Sequence, residues 1–457
     1  MRPISKIRFD ALASYARQPL ALFMAKELGW FEHGNERVLA TLIRDNEDGD
    51  YAAIILGRDR KDRFRCVHIT HFNKSRRHAE VAMRREMEAV AHQEDTKYHQ
   101  GDEEGKPLDF FSPIVTREHL HPDFVKLMEQ EGYSSARGII EPMMHWYEDP
   151  DGNFIEQFQT AGFDARIWEL YLFAAFSEMG YKIDRTEAVP DFTCANPVIE
   201  FCVEATTVNA TREGPLATPP SLETDEGRRA FTREFMPLKY GSALYTKLNK
   251  RYWEKKNVKG KPLVFAIADF QGGASMIMTR SGLPLYLYGY DYDWHRDSSG
   301  RLHITPRKVE KHHWRTKEIP SGFFNQPGAE NISAVVFNNS GTISKFLRMG
   351  MLAGFGSLRV TLTRVGTAVD HDPNATEPIQ FKHSVNSPSY KETWVEGFDV
   401  FHNPNALYPL EDWMFPTASH HWLLPDKQML NLAPDWQPLG SVTHITVNEN
   451  ATGEMNG

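Results

Sequence analysis

Residues 189–207 read VPDFTCANPVIEFCVEATT, and this stretch decides the fold. Its second half, Val198 to Thr207, is rich in β-branched and aromatic residues, which predicts a strand. Its first half predicts a shorter strand from Pro190 to Cys194. The acidic residues Asp191 and Glu204 are 13 positions apart. This separation suits a β-hairpin that brings both carboxylates near one end.

A third acidic residue, Glu169, lies inside an apolar helix predicted from Asp164 to Met179 and closed by Gly180. A carboxylate in such surroundings is costly unless it is paired, protonated or bound to a metal. Three acids placed where a helix and two strands converge predict a site for a hard divalent cation. Such a site is typical of phosphodiester chemistry.

Each acid also has a structural interpretation, and these alternatives stay open. Asp191 follows a proline and could cap a turn. Glu204 could form a buried ion pair with Lys247. Glu169 could pair with Arg166, three positions earlier on the same helix.

The order of elements around this stretch predicts the fold class. After the helix come three strands, at 181–185, 190–194 and 198–207. A long basic helix within 228–256 and a continuous apolar strand at 261–269 follow. We therefore predict an α/β fold, with a mixed sheet flanked by helices in the order αβββαβ.

The rest of the chain is divided into three regions. Residues 1–150 predict an N-terminal α+β accessory domain that includes a helix from Ala11 to Phe31. Residues 151–355 are predicted to form the core, with an inserted hairpin near 286–315. Residues 356–457 are predicted to form an irregular C-terminal extension that packs on the core.

Charge is distributed unevenly. The net charge is −9, yet residues 239–261 carry eight basic residues and one acidic residue, interleaved with aromatic residues. Such a stretch can neutralise phosphates and stack bases, although a solvated helix face is the competing interpretation. The candidate nucleic-acid-binding residues are Lys239, Lys250, Arg251, Lys255 and Lys256.

Several classes of protein are disfavoured. No apolar stretch approaches the ~18 residues that span a bilayer, and the N-terminus does not resemble a signal peptide. The three cysteines show no CxxC spacing, which favours a reducing cytoplasm. No phosphate-binding loop is present, so we expect no nucleotide cofactor. A soluble cytoplasmic protein without membrane partners is the expectation.

This order of elements, with Glu169, Pro190-Asp191-Phe192 and Val203-Glu204-Ala205-Thr206 on it, resembles the PD-(D/E)XK nuclease superfamily, the restriction-endonuclease-like fold. The resemblance covers about 120 residues. It implies that Asp191 and Glu204 bind Mg²⁺ or Mn²⁺ with support from Glu169. Thr206 stands where the family has its catalytic lysine, and Lys247 on the following helix is the candidate replacement.

The resemblance implies a Mg²⁺-dependent deoxyribonuclease, with Glu169, Asp191, Glu204 and Lys247 in the catalytic site. DNA as substrate, a role in restriction or defence against foreign DNA, and a homodimer are further implications of the resemblance alone. The first alternative is a catalytically inactive protein of this fold that binds nucleic acid or assembles with a partner. A small-molecule enzyme with a carboxylate site is the second, although it leaves the basic stretch unexplained.

Overall fold

The structure, a computed structural model, describes residues 1–449 except 94, 104–106, 108, 148, 150–151 and 273–274. Its described residues form a mixed α/β protein, in which several sheets are flanked by helices. None of the described helices combines the length and the apolarity that crossing a membrane would require.

The N-terminal part is an antiparallel sheet of five consecutive strands, packed on one face against a long helix. The single helix predicted from Ala11 to Phe31 is wrong: one helix ends at Ala13, a second spans Pro19–Met24, and a strand begins at Ala25. Residues from Ala25 onward pair with the next strand, and this pairing outweighs local helix propensity. The elements are β1 (Arg2–Ile4), α1 (Lys6–Ala13), α2 (Pro19–Met24), β2 (Ala25–His33), β3 (Val38–Asp45), β4 (Tyr51–Arg58), β5 (Phe64–Ile69) and α3 (Arg76–Ala91).

A helical segment follows, and its last helix is the predicted apolar one. That helix is buried on nearly all sides. It ends at Gly180, where φ is +87°. The amides of Gly180 and Tyr181 donate back to the carbonyls of Ser177 and Phe176, so a glycine in the left-handed region closes the helix. The helices are α4 (Pro122–Glu129), α5 (Ser134–Met144), α6 (Phe154–Gln159) and α7 (Phe163–Glu178).

The central sheet begins with the predicted meander and continues across a helical crossover. Three antiparallel strands are followed by a parallel one, so the predicted order of helix, three strands, helix and strand is observed. The basic helix ends at Leu248 and does not extend to residue 261. The elements are β6 (Lys182–Asp184), β7 (Phe192–Ala195), β8 (Glu200–Asn209), α8 (Asp225–Ala230), a π-helical turn (Phe231–Phe235), α9 (Met236–Leu248) and β9 (Leu263–Phe270).

The inserted segment contains a hairpin, as expected near 286–315, preceded by a short helix and followed by a second, smaller hairpin. After it the chain returns to the central sheet, where β14 lies parallel to β9. The elements are α10 (Gly282–Tyr288), β10 (Tyr290–Arg296), β11 (Leu302–Lys308), β12 (Lys311–Trp314), β13 (Lys317–Pro320), β14 (Ala334–Phe337) and α11 (Ile343–Leu352).

The prediction of an irregular C-terminal region is wrong. Three of its strands extend the central sheet to the order β19-β18-β17-β14-β9-β8-β7-β6, and three others form a separate antiparallel sheet. β17 pairs with β14, and β20 with β15, over long sequence separations, which short-range patterns do not reveal. Residues 450–457 of this predicted region lie outside the described residues. The strands are β15 (Val360–Ala368), β16 (Ile379–Ser384), β17 (Asp399–His402), β18 (Ser419–Leu423), β19 (Met429–Leu432) and β20 (Pro438–Val447).

The two faces of the central sheet bury different helices. Phe201, Val203 and Ala205 of β8 belong to the hydrophobic cluster around α7, whereas Cys202 belongs to the cluster around α9. The cluster around α7 also includes residues from 110–147 and from 360–418, so one hydrophobic cluster contains residues from all three predicted regions. The domain boundaries at 150 and 355 stay predictions.

Candidate active site

Asp191 lies directly before β7, where the chain meets β8. Phe192 pairs with Val203 across the hairpin, so Asp191 lies beside Glu204. The Oδ2 atom of Asp191 accepts a hydrogen bond from the backbone amide of Ala205 at 2.7 Å. The hairpin therefore brings the two predicted carboxylates together and anchors one of them to the neighbouring strand.

Glu204 points to the α9 side of the sheet and is 5% exposed. Its Oε1 atom accepts hydrogen bonds from Lys247 Nζ at 2.5 Å and from the Tyr252 hydroxyl at 2.6 Å. Burial and the neighbouring Glu204 carboxylate raise the pKa of Tyr252, so its hydroxyl stays a donor. The ion pair of Glu204 with Lys247, one of the structural alternatives, is thus present.

Glu169 is also paired. Its Oε1 atom lies 2.7 Å from Arg166 on the same helix. Its Oε2 atom accepts a hydrogen bond from the Tyr147 hydroxyl at 2.7 Å and lies 3.4 Å from Arg185. Two guanidinium groups and a tyrosine thus surround this carboxylate. The contact with Arg166 is the one that the structural interpretation of Glu169 predicted.

Asp191 is electrostatically different from the other two acids. Burial, followed by the charges of Glu204 and Glu169, raises the pKa of Asp191 to about 8, and Lys247 only partly opposes this shift. Among the described residues, no cation forms an ion pair with Asp191. Asp191 is thus the one acid of the three that has no direct ion pair in the described part of the chain.

Two carboxylate oxygens at this place have no hydrogen-bond donor among the described residues. They are Oδ1 of Asp191 and Oε2 of Glu204, since the contacts described above use only Oδ2 and Oε1. Hard oxygen donors at neighbouring positions of one β-hairpin fit a divalent cation that keeps several of its waters. These two oxygens are ligands of the kind that Mg²⁺ and Mn²⁺ prefer.

A three-carboxylate metal site is not present. Within the described residues, no group of three or more His, Cys, Asp or Glu side chains is arranged to hold a metal ion. Of the three predicted metal ligands, Glu169 is the one that does not fit this role, because Arg166, Tyr147 and Arg185 already surround its carboxylate. Its effect on the site is electrostatic, through the raised pKa of Asp191.

Lys247 reaches the acids from α9, the helix that follows β8. Leu244 and Leu248 on the same helix are buried against the sheet, which directs the Lys247 side chain inward. The lysine side chain keeps 19% of its surface exposed. Thr206 stands two residues after Glu204 on the same side of β8, so Lys247 supplies the cation that Thr206 does not.

The basic stretch is only partly available to a polyanion. Lys239 must be removed from the predicted surface, because it is 5% exposed and its Nζ donates to Asn209 O and Thr211 Oγ1. Lys250, Lys255 and Lys256 are exposed in the segment after α9. Arg251 is exposed too and pairs with Glu254 at 2.6 Å. The surface therefore lies beyond the helix, close in sequence to Tyr252 of the site.

Sequence reasoning missed three residues of the site. Tyr252 begins a short 3₁₀ helix after the end of α9, so the periodicity of α9 gives no signal for it. Tyr147 and Arg185 come from parts of the chain on either side of α7. A buried acid in a helix does predict several partners, but it does not identify them.

Comparison of the chain with protein-family models, with curated proteins and with solved structures finds no match.

Proposed function

We propose that this chain is a divalent-metal-dependent nuclease with a restriction-endonuclease-like core, acting on DNA. The observation that carries the proposal is the juxtaposition of Asp191 and Glu204 beside Lys247, each acid having one oxygen without a donor among the described residues. The support from the fold is the order α7-β6-β7-β8-α8-α9-β9, with Asp191 directly before β7, Glu204 on β8 and the lysine on α9.

The roles of the residues follow from their contacts. Asp191 and Glu204 would hold Mg²⁺ or Mn²⁺ through Oδ1 and Oε2. A metal held there would supply Lewis-acid activation of the phosphate and would lower the pKa of a bound water. Tyr252 fixes the Glu204 carboxylate by its hydrogen bond at 2.6 Å. The Lys247 ammonium lies where it can position the attacking water or stabilise negative charge on a phosphate oxygen.

The exposed basic residues after α9 support a polyanionic substrate. Lys250, Lys255 and Lys256 lie within a few residues of Tyr252 and have no acidic partner among the described residues. Phosphate contacts of this kind position nucleic acid without reading its sequence. DNA rather than RNA, and a role in restriction or defence, are part of the proposal through the family resemblance alone.

A catalytically inactive nucleic-acid-binding protein of the same fold is the second candidate. It is favoured by the contact of Lys247 with Glu204, which occupies the only lysine at the site among the described residues. Such a protein would bind DNA in a salt-dependent manner without cutting it.

The deciding experiment is cleavage of supercoiled plasmid and linear DNA with Mg²⁺ or Mn²⁺. It compares wild type with Asp191→Asn and Glu204→Gln, which keep side-chain size. Glu200→Gln is the matched control, since Glu200 lies on the same strand but is exposed and pairs with Lys261. We expect cutting by wild type and by the control, and about 1,000-fold less by the two site variants. Salt-sensitive binding without cutting would instead support the inactive protein.

A further inference from the structure

A cavity of about 930 Å³ lies between α10, the β10–β11 hairpin and the strands β17 to β19. Its volume falls at the upper end of the range of about 300–1,000 Å³ typical of small-molecule sites. Neither the acids nor the lysine of the candidate active site lines this cavity.

The wall of the cavity is rich in aromatic rings. Tyr288 and Phe401 are buried residues of the wall and belong to the hydrophobic cluster around α9. Tyr290 and Tyr292 of β10 also line the cavity. Rings that come to one cavity from α10, β10 and β17 favour a flat ligand that can stack against them.

One polar group on the wall has no partner. Ser419 of β18 is 1% exposed, and its hydroxyl makes no hydrogen bond among the described residues. A buried hydroxyl without a partner costs free energy, which a ligand acceptor would recover. The cavity wall thus contains a buried hydroxyl that is free to bond a ligand, in addition to the aromatic rings.

The charged groups on the wall are already paired within the protein. Arg280 forms a bidentate pair with the buried Asp399, which also accepts from His421 Nε2 at 3.0 Å. Arg233 lies 3.2 Å from Asp291. Since these cations already have carboxylate partners, the part of the ligand inside the cavity is expected to be neutral.

The cavity lies on the same face of the sheet as the candidate active site. Glu204 pairs with Phe265, Phe265 with Val335, Val335 with Phe401, and Phe401 with His421. Along this row Phe401, the first residue of the cavity wall, lies three strand spacings of about 4.8 Å from Glu204, so the wall begins roughly 14 Å from Glu204.

From these observations we infer that the cavity binds a nucleobase, a flat neutral heterocycle with hydrogen-bond acceptors at its edge. The base can come from a free nucleoside or from a strand of nucleic acid, out of which it would be turned. The second source rests on the nuclease function proposed above, whereas the first does not.

The test measures saturation transfer by NMR from the full-length protein to deoxyadenosine, deoxyguanosine, deoxycytidine and thymidine. A second arm follows the fluorescence of a single-stranded dodecamer with one 2-aminopurine. Ser419→Ala removes the donor, and Ile277→Trp fills the cavity from a half-exposed position on its wall. Ser135→Ala is the control, since Ser135 is equally buried but bonds Leu347 O at 3.0 Å.

We expect at least one base to bind wild type and the control, about 5-fold more weakly to Ser419→Ala and not measurably to Ile277→Trp. Binding of nucleosides without a 2-aminopurine response assigns the site to free nucleosides, and the reverse result assigns it to a strand. No binding in either arm, or equal binding by Ile277→Trp, overturns the inference. Metal-dependent cleavage in that case would leave the nuclease proposal intact.

Discussion

Two buried charge clusters in this protein differ in how completely they are paired. In the C-terminal half, the carboxylate of Glu392 contacts Lys345 at 2.7 Å and Arg348 at 2.8 Å, and Arg364 binds the adjacent Glu396. These cations outweigh the effect of burial and hold the pKa of Glu392 well below its usual range. At the candidate active site, burial and two nearby acids instead raise the pKa of Asp191 to about 8.

The difference distinguishes a cluster in which the buried carboxylate is paired with cations from one in which a buried acid has no direct ion pair among the described residues. Where each buried charge has its partner, the fold is complete and nothing more needs to bind. Where a buried acid has no cation, the folded chain must take up a proton or a metal ion. This contrast is the physical basis for placing Mg²⁺ or Mn²⁺ at Asp191 and Glu204.

The largest effect is expected in the complete cluster. Glu392→Ala leaves Lys345 and Arg348 buried without their carboxylate, which should lower the free energy of unfolding by about 3–5 kcal/mol. Urea denaturation at pH 7 measures this loss in the free energy of unfolding. Asp191→Asn is the comparison and should not destabilise the protein at this pH. Equal losses in the two variants would remove the contrast.

The next effect concerns Lys247. Lys247→Met keeps the stem and removes the charge, and we expect cleavage to fall about 100-fold. Lys261→Met is the matched control, because Lys261 also pairs with a glutamate of β8, the exposed Glu200. Full activity of Lys247→Met would show that the lysine acts only in the ion pair with Glu204.

Asp191 should also govern how stability depends on pH. Its folded pKa of about 8 lies above the value of an unfolded aspartate, so the folded chain binds the extra proton between about pH 4 and pH 8. Its contribution to the free energy of unfolding therefore falls as pH rises through this window. Asp191→Asn should flatten the decline and be more stable than wild type at pH 8, by at least about 1 kcal/mol. Parallel curves for the two proteins would contradict the assignment.

The smallest effect is expected at the basic surface. Replacing Lys255 and Lys256 with serine should weaken DNA binding and reduce the slope of log affinity against log salt by about 2. Lys259→Ser, another exposed lysine of the same segment, tests whether position or charge alone matters. An unchanged salt slope in the double variant would place the substrate elsewhere.

Local sequence was informative where neighbouring residues decide the structure. The apolar helix with its Gly180 end, the hairpin that joins Asp191 to Glu204, and the helix that carries Lys247 follow from patterns within about 20 residues. The pairing of Glu169 with Arg166 also follows from helical spacing. By contrast, β17 to β19 join the sheet through long-range pairing, and Lys239 is buried by contacts with the distant segment at Asn209 and Thr211. Tyr252 and Tyr147 reach their carboxylates only through the tertiary fold.

Mn²⁺ binding measured by isothermal titration calorimetry, at pH 7 in two buffers of different ionisation enthalpy, tests the central claim most directly. We expect wild type to bind Mn²⁺ and to release close to one proton, because the ion must displace the proton held by Asp191. Asp191→Asn and Glu204→Gln should lose binding, while Glu200→Gln should retain it with the same proton release. Mn²⁺ binding that is unchanged in Asp191→Asn, or no binding by wild type, would contradict the claim that this pair of acids is a metal site.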